Sequence, residues 1–150
     1  MDLSAFRLEQ LGISKEKLGR IFCFVDYGNV NYWYDKDRRD AKDQPLGANQ
    51  KLIVDLEKLA SFLSSFADQK RFYYGWNPRA QKNWHIVIKA EKCGFIKITK
   101  PMQFIKHYVG EGVISRDGRQ SKKDSIGTYI EIPKSNFDVE ISVDAIRTLD

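Results

Sequence analysis

The chain is poor in the residues from which many sites are built. It has two cysteines and two histidines in 150 residues. Cys23 and Cys93 have no metal-ligand spacing and read as reduced thiols in a cytoplasmic setting. His85 and His107 each stand alone, which suits a surface or packed histidine better than a ligand. No apolar run approaches the roughly 18 to 20 residues that a membrane span needs. The opening MDLSAFRLEQ lacks a basic flank followed by an apolar stretch, so no secretory signal is visible. There is no P-loop and no GxGxxG. GEGVISRDG has the glycines but neither the spacing nor a preceding buried strand. No nucleophile with a flanking base stands out, and no internal repeat or low-complexity segment is evident.

What is present suits one globular domain with a proper core: 42% hydrophobic and 13% aromatic residues. A net charge of +5 permits a polyanionic partner without requiring one. The organising stretch is IFCFVDYGNVN, Ile21 to Asn31. Its uninterrupted apolar run reads as a strand buried on both faces, typical of parallel sheets. In such sheets ligands collect outside the carboxyl ends of the strands, and Asp26 sits at that end. An unpaired buried carboxylate is costly, so Asp26 is either a crevice-facing functional acid or a helix N-cap.

Ahead of it, Leu3 to Leu18 reads as one or two short helices packed outside the sheet. Asp35 to Gln50 is a mixed-charge loop whose aspartates nearly cancel its cations. Asp55 is a credible N-cap for a helix through about Ala67, with Leu56, Leu59, Leu63 and Phe66 at helical spacing. Arg71 to Trp76 reads as a second strand. Asn77-Pro78 starts a helix running to Cys93 and stopping at Gly94. Phe95 to Thr99 is a third strand, closed by Pro101. Strand, helix, strand, helix, strand is the pattern of a parallel α/β sheet with helices on both faces. From Met102 to Lys134 two β-like runs flank a Gly-rich basic loop. This is a hairpin-like excursion near 103–132 with Arg116, Arg119, Lys122 and Lys123 at its tip.

The chain closes with FDVEISVDAIRTLD, a helix with a broad apolar side. Glu140 and Asp144 share a face, and like charges there are mildly destabilising without a cation. Metal binding is one explanation for so many acids among apolar neighbours.

The run FVDYGNVN, followed by RFYYG, a CGF turn and KSNFDVEISVDAI, resembles the NYN domain family of PIN-like nucleases over roughly residues 21–150. Lys134 precedes Asp138-Val139, and Asp144 follows Asp138 by six, as in the family's K-x-(V)D-V-x-x-x-x-D pattern. The lysine is one residue further from the aspartate than usual. The resemblance implies a three-layer, Rossmann-like, mainly parallel sheet and a divalent metal, Mg²⁺ or Mn²⁺, serving endoribonuclease chemistry. Asp26, Asp138 and Asp144 would be the catalytic, metal-holding acids, with Asn29 supporting Asp26. Lys134 and the basic tip would hold the RNA backbone, and Tyr32, Trp33 or Trp76 would stack on bases. Family members continue into a further buried strand ending in a GDSDF-like motif. This chain ends at Asp150, where that strand should begin, so one metal carboxylate is expected to be missing and a sheet edge uncovered, which favours self-association. The alternative is an inactive or truncated nuclease-like module that binds RNA or a protein partner. A haloacid-type phosphohydrolase would want a second aspartate at position 28, which is Gly28. A receiver domain would want an acidic pair on an earlier strand.

Overall fold

A computed structural model describes residues 3–13, 17, 19–31, 38–40, 42–47, 50, 52–80, 84–110 and 120–149. Three strands, β1 (Phe22–Asp26), β2 (Gln69–Trp76) and β3 (Ile96–Pro101), form a parallel sheet in the order β1-β2-β3. Val25 pairs with Phe72, Asp26 with Tyr73, and Tyr73 with Ile98. Side chains alternate along a strand, so this register sorts the residues onto two faces. Val25, Phe72 and Tyr74 point one way. Phe24, Asp26, Arg71, Tyr73 and Gly75 point the other.

The first face is the core. Helices α2 (Tyr27–Val30), α3 (Leu56–Ser64) and α4 (Trp84–Lys92) deliver Tyr27, Leu63, Val87 and Ala90 onto Val25, Phe72 and Tyr74. The N-terminal helix α1 (Leu3–Gln10) adds Leu8 to the edge of this cluster, followed by Ile13. Asp55 caps α3 as expected, accepting from the backbone of Glu57 at 3.0 Å and Lys58 at 3.1 Å.

Two helix boundaries differ from expectation. Helix α3 ends at Ser64 rather than near Ala67. Ser65 Oγ donates to the Phe62 carbonyl at 2.6 Å and the chain tightens there, while Phe66 stays buried in the turn. Residues 77–80 form a turn instead of opening α4. Asn77 Oδ1 accepts from the Arg79 backbone at 2.8 Å, and the Asn77 carbonyl accepts from Ala80. An Asn-Pro pair signals a turn as strongly as a helix start, and here the turn prevails. Gly94, at φ 79°, ends the helical segment as expected.

Against the other face lies α5 (Asp138–Arg147), none of whose residues is buried. Most of the broad apolar side expected of it is open, with Val139 72% and Ile146 65% exposed, while Ile141 and Ala145 are half-buried. Phe137, just before it, is almost fully buried and meets the Tyr73 ring edge-on at 5.6 Å. Gly75 makes this approach possible. A Cβ there would lie 2.3 Å from the Ser135 Cβ, so position 75 has no room for a side chain.

The excursion is a second, antiparallel sheet of β4 (Gln103–Tyr108), β5 (Lys122–Lys123) and β6 (Thr128–Lys134) in the order β4-β6-β5. Arg79 ties it to the turn after β2, lying 3.8 Å over the Phe104 ring and pairing with Glu131. The molecule is thus a mixed α/β protein built on a parallel sheet. Among the described residues no helix is long and apolar enough to cross a membrane.

Candidate functional site

Asp26 ends β1 and caps α2, as the helix N-cap reading expects. Its Oδ1 accepts from Gly28 N at 3.0 Å and its Oδ2 from Asn29 Nδ2 at 3.0 Å. A Cβ on residue 28 would lie 3.2 Å from Oδ1, so glycine lets the turn close on the carboxylate. The carboxylate is therefore oriented at the carboxyl end of a parallel strand. Each carboxylate has about four lone-pair positions, so two hydrogen bonds leave capacity for a further ligand.

Asp144 reaches the same sheet face from α5. Tyr73 Oη donates to its Oδ2 at 2.6 Å, and Arg71 Nη1 lies 3.0 Å from that oxygen. Both ion-pair side chains are largely covered, at 21% and 17% exposure. The Tyr73 hydrogen bond, with Arg71 adding to it, holds the Asp144 carboxyl below the usual aspartate range. Burial and the neighbouring carboxylate push the Tyr73 hydroxyl up, so it stays a donor. Asp26 is the Cα partner of Tyr73, so one tyrosine stands beside one acid and bonds the other.

Glu140, on the same side of α5, has its own cation. The Lys100 ammonium contacts Glu140 Oε1 and the Asn136 carbonyl and sits 4.6 Å over the Phe137 ring. That lysine draws the Glu140 carboxyl down. The shared face of Glu140 and Asp144 is thus explained without a metal, because the sheet supplies a cation to each.

The remaining expected residues fall elsewhere. Asp138 is the first residue of α5, with an exposed side chain, and its N–H donates to Asn136 Oδ1 at 3.0 Å. Asn29 is exposed beside Asp26. Lys134 is exposed at the end of β6, lining a cavity of about 560 Å³ with Lys100, Gln103 and Val139. Lys122 and Lys123 are not at a loop tip. They form β5, paired with Tyr129 and Thr128, and Lys122 Nζ lies 2.6 Å from Glu131. Two lysines carry no strand signal of their own, so cross-strand pairing imposed it. Arg116, Arg119, Tyr32 and Trp33 lie outside the described residues. Trp76 is half-buried and packs on Trp84 at 6.5 Å.

Among the described residues no three His, Cys, Asp or Glu side chains gather into a group that could hold a metal, so the expected trio is not assembled. The donor chemistry of two of its members fits nevertheless. Mg²⁺ takes hard oxygen ligands, often one or two carboxylates completed by water and substrate phosphate. Asp26 and Asp144 offer such carboxylates on one face of the sheet.

Sequence reasoning missed Arg71, Tyr73, Lys100 and Gly75. Arg71 and Tyr73 were legible only as parts of a strand, although alternation in RFYYGW separates them from Phe72 and Tyr74. Comparison with known proteins finds no matching family model, no matching curated protein and no matching solved structure.

Proposed function

We propose that this protein is a divalent-metal-dependent endoribonuclease of NYN type with a PIN-like three-layer fold, acting at the carboxyl end of its parallel sheet. The observation that carries the reading is Asp26: a strand-end carboxylate oriented by Gly28 and Asn29, with Asp144 on the same face. Asp26 and Asp144 would hold Mg²⁺ or Mn²⁺, completed by water and substrate phosphate, and Asp138, at the start of α5, is the third acid that the resemblance implies. A bound ion of this kind supplies Lewis acidity and an activated water for phosphodiester hydrolysis. The chain's own residues orient the acids: Asn29 and the Gly28 N–H fix Asp26, and Tyr73 fixes Asp144. Lys134 offers a cation to the RNA backbone, with Arg116 and Arg119 as further candidates. Binding of this sort is salt-sensitive and carries little sequence information.

The test is cleavage of generic single-stranded RNA in Mn²⁺ or Mg²⁺, with Asp26→Asn alongside. Metal-dependent cleavage lost in the variant is the expected result. Cleavage surviving Asp26→Asn, Asp138→Asn and Asp144→Asn would remove this site from consideration.

A second reading is favoured by one observation, the pairing of Asp144 with Arg71. A carboxylate already neutralised by a guanidinium suits a nuclease-like module that binds RNA without cleaving it. That reading expects RNA affinity indifferent to Asp26→Asn and independent of added metal.

A further inference from the structure

Helix α5 and the residues just after it leave an apolar stripe uncovered. Val139, Val143, Ile146 and Leu149 recur at intervals of three and four residues, so they share one side of the helix. They are 72%, 40%, 65% and 84% exposed. Ile105 of β4 is 39% exposed and lines the same cavity as Val139, so the apolar patch runs on past the helix. Single exposed apolar residues need no explanation, but a contiguous set of them marks an interaction surface.

The charges beside the stripe select the occupant. Glu140 and Arg147 are seven residues apart, so they lie on the same flank of the stripe, near its two ends. Arg147 is exposed, and the Glu140 side chain keeps 37% exposure beside Lys100. A second α5 laid antiparallel against the first brings like flanks together in reverse order. Each Arg147 then stands beside the second copy's Glu140, and the two helix dipoles oppose. A parallel copy would face that flank with Ser142 and Leu149 and form neither pair. Asp144 does not oppose the approach, because it turns to Arg71 and Tyr73 on the sheet. The stripe is complementary to itself.

We propose that α5 is a self-association surface, on which a second copy of this chain packs its own α5 in antiparallel. Centred between Val143 and Ile146, the packing sets Val143 against the second copy's Ile146. Such an interface is isologous and closes at two copies. A ten-residue helix is about 15 Å long, so the patch supplies only part of the roughly 800 Å² per partner of a stable complex. Association is therefore weak, with a Kd of about 10–100 µM, and in dilute solution the stripe is open. The surface is separate from the edges of the parallel sheet and does not depend on the nuclease reading.

The experiment is sedimentation equilibrium of the full chain from about 5 to 500 µM, with Val143→Glu, Arg147→Glu and Glu140→Gln alongside. Wild type is expected to pass from monomer to dimer over that range. Val143→Glu puts a charge at the centre of the contact and should weaken it at least about tenfold. Arg147→Glu sets two carboxylates together and should weaken it about fivefold. That penalty should shrink to about twofold in the Glu140→Gln background, since a double-mutant cycle isolates the pairwise contribution. A wild-type monomer throughout overturns the proposal. So does a dimer indifferent to Val143→Glu, which belongs to another surface, or an Arg147→Glu penalty unchanged by Glu140→Gln. Should Val143→Glu fail to fold by circular dichroism, Ile146→Glu decides, and no weakening there overturns the proposal too.

Discussion

The two faces of the parallel sheet are built on opposite principles. One carries Val25, Phe72 and Tyr74 beneath helices and is closed by apolar contact, with Phe72, Val87 and Ala90 entirely hidden from solvent. The other carries Phe24, Asp26, Arg71 and Tyr73 and meets a helix that buries none of its own residues. There α5 is held by Arg71–Asp144, Tyr73–Asp144 and Lys100–Glu140, and by Phe137 wedged against Tyr73. Apolar burial is nondirectional and contributes most of the stability. Polar docking is directional and contributes less, but it orients carboxylates. One face holds the fold, and the other seats α5 and orients two of its carboxylates.

That contrast can be broken, and the largest effect is expected on the apolar face. Phe72→Ala should cost about 3–5 kcal/mol in denaturant unfolding, because the ring is fully buried against a packed cluster. A loss below about 1 kcal/mol would mean that this face is not the core. Next comes Gly75→Ala, which forces Ser135 and the start of α5 away from the sheet. A cost of about 1–3 kcal/mol is expected. Amide exchange should speed up in α5 while α3 and α4 keep their protection.

Tyr73→Phe tests the polar face, where losing a hydrogen bond to a charged group should cost about 1.5–3 kcal/mol at neutral pH. Its pH dependence has a definite sign. The Asp144 carboxyl lies lower in the folded chain than its ordinary unfolded value of about 3.9. The unfolded state therefore binds more protons in acid, so this contribution is full at neutral pH and is lost as pH falls from about 4 downwards. Tyr73→Phe should be less sensitive to acid than wild type over that window. Glu131 behaves alike on the antiparallel sheet: Arg79 and Lys122 draw it down from 4.5 to about 2. Glu131→Gln should flatten the fall in melting temperature between those two values. Smallest of all, Ile146→Gln lies on the open side of α5 and should change stability by no more than about 0.5 kcal/mol. A larger loss would show that something covers that stripe in solution.

Much of the apolar face could be read directly. A contiguous apolar run gave β1, helical spacing gave α3, and the caps Asp55 and Gly94 fall where expected. These signals are local, and local chemistry is what the chain order displays. The C-terminal end of α3 and the start of α4 depart from the sequence pattern because Ser65 and Asn77 make side-chain bonds that favour turns over continued helix.

Chain order alone specifies an α/β protein with a strand-end acid at Asp26 and an acidic last helix. It showed that Glu140 and Asp144 share one side of that helix, and left open what neutralises them. Packing shows that Lys100 and Arg71 do so, across 40 and 73 residues of chain respectively. It also decided that Val139, Val143 and Ile146 of α5 stay open, and that Lys122 and Lys123 are strand residues. The physical reason is the same in each case. Electrostatic partners and cross-strand neighbours are chosen by register and by which face a residue occupies, and these are set when distant segments pack.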